Sequence, residues 1–234
     1  MRASTHVERT WASTPVEALT LLVVAKAPVP GVAKTRLAAD VDDPFLAAEL
    51  AAAALLDTIA LGNALHCRRR IALTGDLGGA TRGAEIRHAL ADWEIVGQRG
   101  DSLGERLAAA HAEVSGPIVQ VGMDTPQITP ALLSEVVAGL RDHDAVLGPA
   151  SDGGWWVLAL RDGRLARPLA GVRMSTPTTY ADTRAALAAA GLVVASAPVL
   201  TDVDHLDDAL TVADAAPATD FARCVRRELG QAVR

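Results

Sequence analysis

From Ala18 onward the chain alternates continuous runs of Val, Leu, Ile and Ala with stretches whose apolar residues recur at helical spacing. Leu19–Ala25 reads as a buried strand, Pro44–Leu65 as a helix, Ile71–Thr74 as a strand and Thr81–Leu90 as a helix, with Glu94–Val96 as a short strand. Ser102–Val114 forms a helix in which Ser102 and Glu105 have capping-box spacing. Strand Ile118–Val121 follows, and then helix Thr129–Leu140, opened by Thr129 and Pro130. This rhythm is that of βαβ crossovers and a mainly parallel sheet, whose strands are buried on both faces and so show no polar alternation.

After Ala145 the pattern changes. Strands Ala145–Gly148 and Trp155–Leu160 are separated by only Pro149 to Gly154, too few residues for a crossover helix, so an antiparallel or edge excursion is expected. Helix Thr178–Ala190, strand Leu192–Ala195 and helices at about Leu206–Ala213 and Thr219–Gln231 complete the chain. The expected fold is α/β, a single doubly wound, mainly parallel sheet with a modified C-terminal half. Residues 1–17 lack periodicity and are expected to be a flexible extension ahead of one domain, 18–234.

Composition narrows the functions. Half of the 234 residues are hydrophobic and 21% are charged, the usage of an ordinary globular protein. Aromatics are only 3%, so alanine and aliphatic side chains must fill the interior. The net charge of −6 and the lack of a basic run longer than Arg68-Arg69-Arg70 argue against a nucleic-acid partner. Cys67 and Cys224 stand alone, without zinc-ligand spacing. The alanine-rich stretch after Phe45 is interrupted by Glu49 and Asp57, so no membrane span is expected, and a cytoplasmic location follows.

In open α/β sheets ligands bind beyond the carboxyl ends of the strands, which directs attention to the loops there. The first, Ala25 to Leu37, holds both lysines of the chain, Lys26 and Lys34, among 22 basic residues. Two compact ammonium groups, the permissive Gly31 and the fork donor Arg36 suit a diphosphate, whereas the plain alternative is solvated loop lysines. Neither a Walker A loop nor GxGxxG is present. The loop Gly122-Met123-Asp124-Thr125-Pro126 puts a carboxylate at a strand end, where it can ligate Mg²⁺ or Mn²⁺ or simply make an Asx turn.

Asp152, followed by Gly153, Gly154, Trp155 and Trp156, offers a carboxylate, close backbone approach and a sugar-stacking wall. It can equally be a tight turn beside core tryptophans, and strand alternation lets at most one of the two rings line a site. Asp202 and Asp204, two apart on an extended segment, point to one side and can complete a metal site, while Asp207 and Asp208 suit a first helical turn. In the loop before Ser102, Gln98 and Gly100 suit recognition of a nucleobase edge.

The ordered set Lys26-Ala27-Pro28-Val29-Pro30-Gly31 to Lys34-Thr35-Arg36-Leu37, Leu103-Gly104-Glu105-Arg106, Gly122 to Pro126, Gly148-Pro149, Asp152-Gly153-Gly154, Ser175-Thr176-Pro177 and Asp202-Val203-Asp204 resembles a bacterial family of GT-A-fold nucleotide-diphospho-sugar transferase-like proteins. The likeness runs from about Leu19 to Leu210. Members are often labelled arsenosugar-biosynthesis-type glycosyltransferases, and distant relatives are the 2-phospholactate and molybdenum-cofactor guanylyltransferases.

The resemblance implies that the Lys/Arg loop cradles a nucleotide diphosphate, that Asp124 is the metal-binding aspartate, and that Ser175 and Thr176 lie on the acceptor or sugar side. Met123 and Met174 depart from the family pattern, which favours a small polar residue and a tryptophan there. The leading expectation is a metal-dependent transferase with a nucleotide-activated sugar donor and a small-molecule acceptor. Asp124 and Asp152 would be catalytic, with Asp152 orienting or deprotonating the acceptor hydroxyl. A nucleotidyltransferase joining an NTP to a phosphorylated substrate is the alternative enzyme, and a non-catalytic nucleotide-binding protein the alternative outside enzymes.

Overall fold

The computed structural model describes residues 19–232, so the expected extension 1–17 lies outside the described residues. A single sheet holds seven strands: β1 (Thr20–Lys26), β2 (Arg68–Thr74), β3 (Glu94–Gly97), β4 (Ile118–Val121), β5 (Ala145–Pro149), β6 (Trp155–Leu160) and β7 (Val194–Ser196). Their order is β3-β2-β1-β4-β6-β5-β7, and every pairing is parallel except those of β6 with β4 and with β5. The excursion after Ala145 is therefore antiparallel. It is also interior, because β6 inserts between β4 and β5, and its residues from Trp156 to Leu160 are buried.

The apolar runs are explained by burial on two faces. Leu21, Val23 and Ala25 of β1 join one core with α2 (Pro44–Asn63), α3 (Gly83–Ala89) and α5 (Pro130–Gly139). Leu22 points the other way, into a core with α4 (Leu103–Ala112), α6 (Thr179–Ala189) and a 3-10 helix, Gly163–Gly171. A third core lies outside α2, whose Ala47, Leu50, Ala53 and Ala54 meet α1 (Thr35–Val41), α7 (Leu206–Ala215) and α8 (Asp220–Ala232). By length and hydropathy α2 is apolar enough to cross a membrane, but it is sandwiched between two cores. Its two interrupting acids are both used: Asp57 accepts Asp220 N and Phe221 N at the start of α8, and Glu49 lies 3.7 Å from Arg227.

Several elements depart from the sequence expectation. β2 starts at Arg68, since the arginine run is part of the strand and Arg70 is buried against Glu94 and Glu113. The 3-10 helix, with glycine at both ends and Pro168 inside, has the composition of a loop, yet Ala166 and Leu169 are fully buried. It lies so close to α4 that a Cβ on Gly104 would meet Leu169 O at 2.3 Å. α1 has no side-chain N-cap and spans only seven residues. Tertiary contacts hold it: Leu37 enters the third core, and Asp40 accepts Leu206 N and pairs with His205.

On α4, His111 is fully buried, with Nδ1 bonded to Leu107 O and Nε2 without a partner among the described residues. Burial pushes its pKa down to about 4. Between that value and the ordinary one near 6.5 the unfolded chain binds a proton that the folded chain refuses, so stability falls as pH drops through this window. The expected loss approaches about 3 kcal/mol. Denaturant unfolding at pH 7 and pH 4.5 should show it, with a much shallower pH slope in His111→Leu; equal slopes would rule the histidine out as the cause.

Candidate functional site

Strand order reverses between β1 and β4, and the loops beyond their carboxyl ends flank the crevice that this reversal opens. The loop after β1 ends at Lys34, which precedes α1 in a left-handed conformation (φ 49°, ψ 49°). The loop after β4 carries Asp124. A Cβ on Gly122 would stand 2.7 Å from Asp124 Oδ1, so a glycine there leaves room for the carboxylate. Behind it Met123 is buried, its sulfur accepting Lys26 N at 3.2 Å, so the methionine joins the two loops.

The segment before α7 closes the site from the far end of the chain. Val203 N donates to Asp124 O at 2.9 Å, and the Val203 side chain enters the third core. Asp202 and Asp204, on either side of it, are thereby both turned toward Asp124. One ligand oxygen from each of the three aspartates lies within 4.8 Å of the others. Asp208 Oδ2 accepts Asp204 N and His205 N, which fixes the helix start as its first-turn position suggested.

The charges in this group are unevenly paired. Lys34 Nζ lies 2.7 Å from Asp124 Oδ2 and 2.8 Å from Asp204 Oδ1, with only 11% of its side chain exposed. Burial works against its charge, but Asp124 and Asp204 outweigh burial and hold the pKa above the usual lysine value. Arg36, 59% exposed, donates to Asp204 Oδ2 at 2.9 Å. Burial raises the pKa of Asp204, and the attraction of Lys34 and Arg36 overcomes it, so the net shift is downward. Asp202 has no basic partner among the described residues. Burial first, then the charges of Asp124 and Asp152, push it up to about 7.

The β5–β6 loop adjoins this group, tied to the segment before Asp202 by Ser151 N donating to Leu200 O at 2.9 Å. Asp152 makes an Asx turn, with Oδ1 accepting Gly154 N at 2.7 Å, and remains exposed. Gly153 takes φ 90° and packs on the backbone of Pro177, while its carbonyl accepts Tyr180 N. Its close approach is thus to Ser175-Thr176-Pro177. Ser175 is itself left-handed (φ 59°), and Thr176 N donates to Thr179 Oγ1. Trp156 is core, bonded to Pro198 O; the half-buried Trp155 donates to Thr183 on α6 and packs against the second core.

Three residues do something other than expected. Lys26 Nζ donates to Val32 O at 2.7 Å and braces its own loop, over an open Gly31 at φ 73°. Gln98 Nε2 donates to Ala25 O of β1 and Ala72 O of β2, which leaves only its oxygen to face a base. The Gly100 carbonyl accepts Arg106 Nε, so this residue is packed on α4. The part of Lys34 in the acidic group was missed in the sequence. The signal available was the segregation of both lysines to one loop, which points to a need for positive charge without naming the partner.

The sequence profile of a family described as "Uncharacterized protein conserved in bacteria (DUF2064)" matches residues 56–176. No curated protein matches the chain. Among solved structures, a protein of Desulfovibrio desulfuricans G20, provisionally described as a nucleotide-diphospho-sugar transferase, is similar at 25% identity and a TM-score of 0.80, over 92% of this chain and 96% of that one. The Mycobacterium sp. strain JC1 homologue of Mycobacterium tuberculosis Rv0371c is similar at 19% identity and a TM-score of 0.53, over 90% and 98%. The 2-C-methyl-D-erythritol 4-phosphate cytidylyltransferase of Thermus thermophilus is similar at 14% identity and a TM-score of 0.52, over 86% and 100%. These last two likenesses are of fold alone.

Proposed function

The chain belongs to the DUF2064 family, and we propose that it is a transferase acting on a nucleotide-linked substrate, with a nucleotide-diphospho-sugar as donor and a small hydroxylated molecule as acceptor. The observation that carries this reading is the convergence of Asp124, Asp202 and Asp204 with Lys34 and Arg36 beside the β1–β4 crevice. The sugar donor is favoured by the likeness to the Desulfovibrio protein and its description.

Three carboxylates with one clustered oxygen each are hard donors suited to Mg²⁺ or Mn²⁺, which commonly bind through few carboxylates and substrate phosphates. Asp202 has no basic partner among the described residues, and its charged form is opposed by burial and by Asp124 and Asp152, a repulsion that a cation among the carboxylates would relieve. Asp124, Asp202 and Asp204 would hold the ion, which when bound supplies charge neutralisation on the departing nucleoside diphosphate. Arg36 and Lys34 would bind phosphate oxygens through charge-assisted hydrogen bonds. Asp152 would use its Oδ2, the oxygen outside its Asx turn, to orient or take a proton from the acceptor hydroxyl. Trp155, Gly154, Ser175 and Thr176 would border the acceptor.

The test is a panel of nucleotide sugars and of NTPs with sugar phosphates, each with Mg²⁺ or Mn²⁺. A nucleoside diphosphate released with a sugar-bearing product is the expected result. Pyrophosphate release with a nucleotide-linked product would replace this reading with nucleotidyl transfer. Nucleotide affinity without turnover of any member would favour the non-catalytic alternative.

A further inference from the structure

Lys34 raises a question that a phosphate-binding role alone leaves open. Its ammonium is within hydrogen-bond distance of two of the three carboxylates that can hold a divalent ion. An ion ligated by those carboxylates at roughly 2.0–2.6 Å would lie within a few ångströms of the ammonium and repel it. Asp204 has both oxygens engaged by positive donors, one by Lys34 and one by Arg36, so an ion ligated by either oxygen would share it with a like charge. Asp124 Oδ2 is likewise taken.

We propose that Lys34 is an exchangeable internal cation, whose ammonium must leave Asp124 and Asp204 for a divalent ion to bind and whose departure is favourable only when a diphosphate is present to receive it. This rests on the reading that the three aspartates form a metal site. Lys34 is suited to the exchange. It stands at the junction of loop and helix, in a left-handed conformation costly for a side-chain-bearing residue, and its four-carbon stem is flexible. Lys26 is not a competitor, because its ammonium is held by Val32 O on its own loop. The consequence is coupling: Lys34 opposes the free ion and assists the ion–diphosphate pair, so the site discriminates against unaccompanied metal.

Calorimetric titration of the full chain with Mn²⁺ alone, and separately with preformed Mn²⁺–pyrophosphate, tests the proposal in wild type and Lys34→Met. The variant is expected to bind free Mn²⁺ about tenfold tighter or more, and the Mn²⁺–pyrophosphate complex about tenfold weaker or more, opposite changes that follow from the coupling. Because the chain has only two lysines, lysine labelled with ¹³C at Cε gives a readout in the wild type that does not depend on the variant folding. Saturation with diamagnetic Mg²⁺–pyrophosphate should move the Lys34 signal far more than that of Lys26. Free Mn²⁺ bound equally well by both proteins, or a Lys34 signal unmoved at saturation, would overturn the exchange while sparing the metal site. Failure of both proteins to bind metal with or without pyrophosphate would overturn the metal site, and the exchange with it.

Discussion

Asp124→Ala should lower metal-dependent turnover on the order of a thousandfold or more, the equivalent of about 4 kcal/mol of charge stabilisation in the transition state. Asp124 is the member of the acidic group at the end of a buried strand, and its main-chain oxygen also anchors Val203 between Asp202 and Asp204. The substitution keeps that main-chain bond and removes only the carboxylate. Stability should change by no more than about 1 kcal/mol, because Lys34 keeps Asp204 as a partner and loss of the Asp124 charge relieves its repulsion of Asp202. Turnover assays beside denaturant unfolding separate the two effects. Full metal-dependent activity in the variant would remove Asp124 from the site, and a global loss of structure would make it a folding residue.

Gly153→Ala should cost about 2–4 kcal/mol of stability, a large effect for one methyl group. Two penalties coincide. The φ of 90° is one that side-chain-bearing residues rarely adopt, and the new Cβ would lie 2.1 Å from Pro177 O, a backbone atom that cannot swing aside. To relieve the contact the β5–β6 loop must part from Ser175-Thr176-Pro177, which would carry Asp152 away from its neighbours. Gly171→Ala is the control, since a Cβ there meets nothing within 4 Å, and it should be close to neutral. Chemical denaturation of the three proteins measures the difference; equal stability of the two variants would refute the packing role of Gly153.

What the sequence determined by itself was whatever physics acts over a few residues. Continuous apolar runs marked β1, β4 and β6 because those strands are covered on both faces. Ser102 and Glu105 do form a capping box, and Thr129 and Pro130 do open α5, since a helix start is decided by side chains within three positions of it. Asp202 and Asp204 share a side because the extended chain has a period of two. The short α1 and the 3-10 helix were invisible for the converse reason, being held by Leu37, Asp40 and Leu169 through contacts made elsewhere in the chain.

Only the tertiary structure decided who meets whom. Lys34 reaches Asp124 across 90 positions and Asp204 across 170, and no local pattern encodes such a pairing. The same holds for Gln98, whose amide looked free for a base until the strand carbonyls Ala25 O and Ala72 O claimed it, and for Gly153, whose missing side chain serves Pro177. A loop residue's type fixes which interactions it can make. Which of them it does make depends on the unpaired groups that the sheet order brings alongside, because buried donors, acceptors and charges must find partners wherever the fold supplies them.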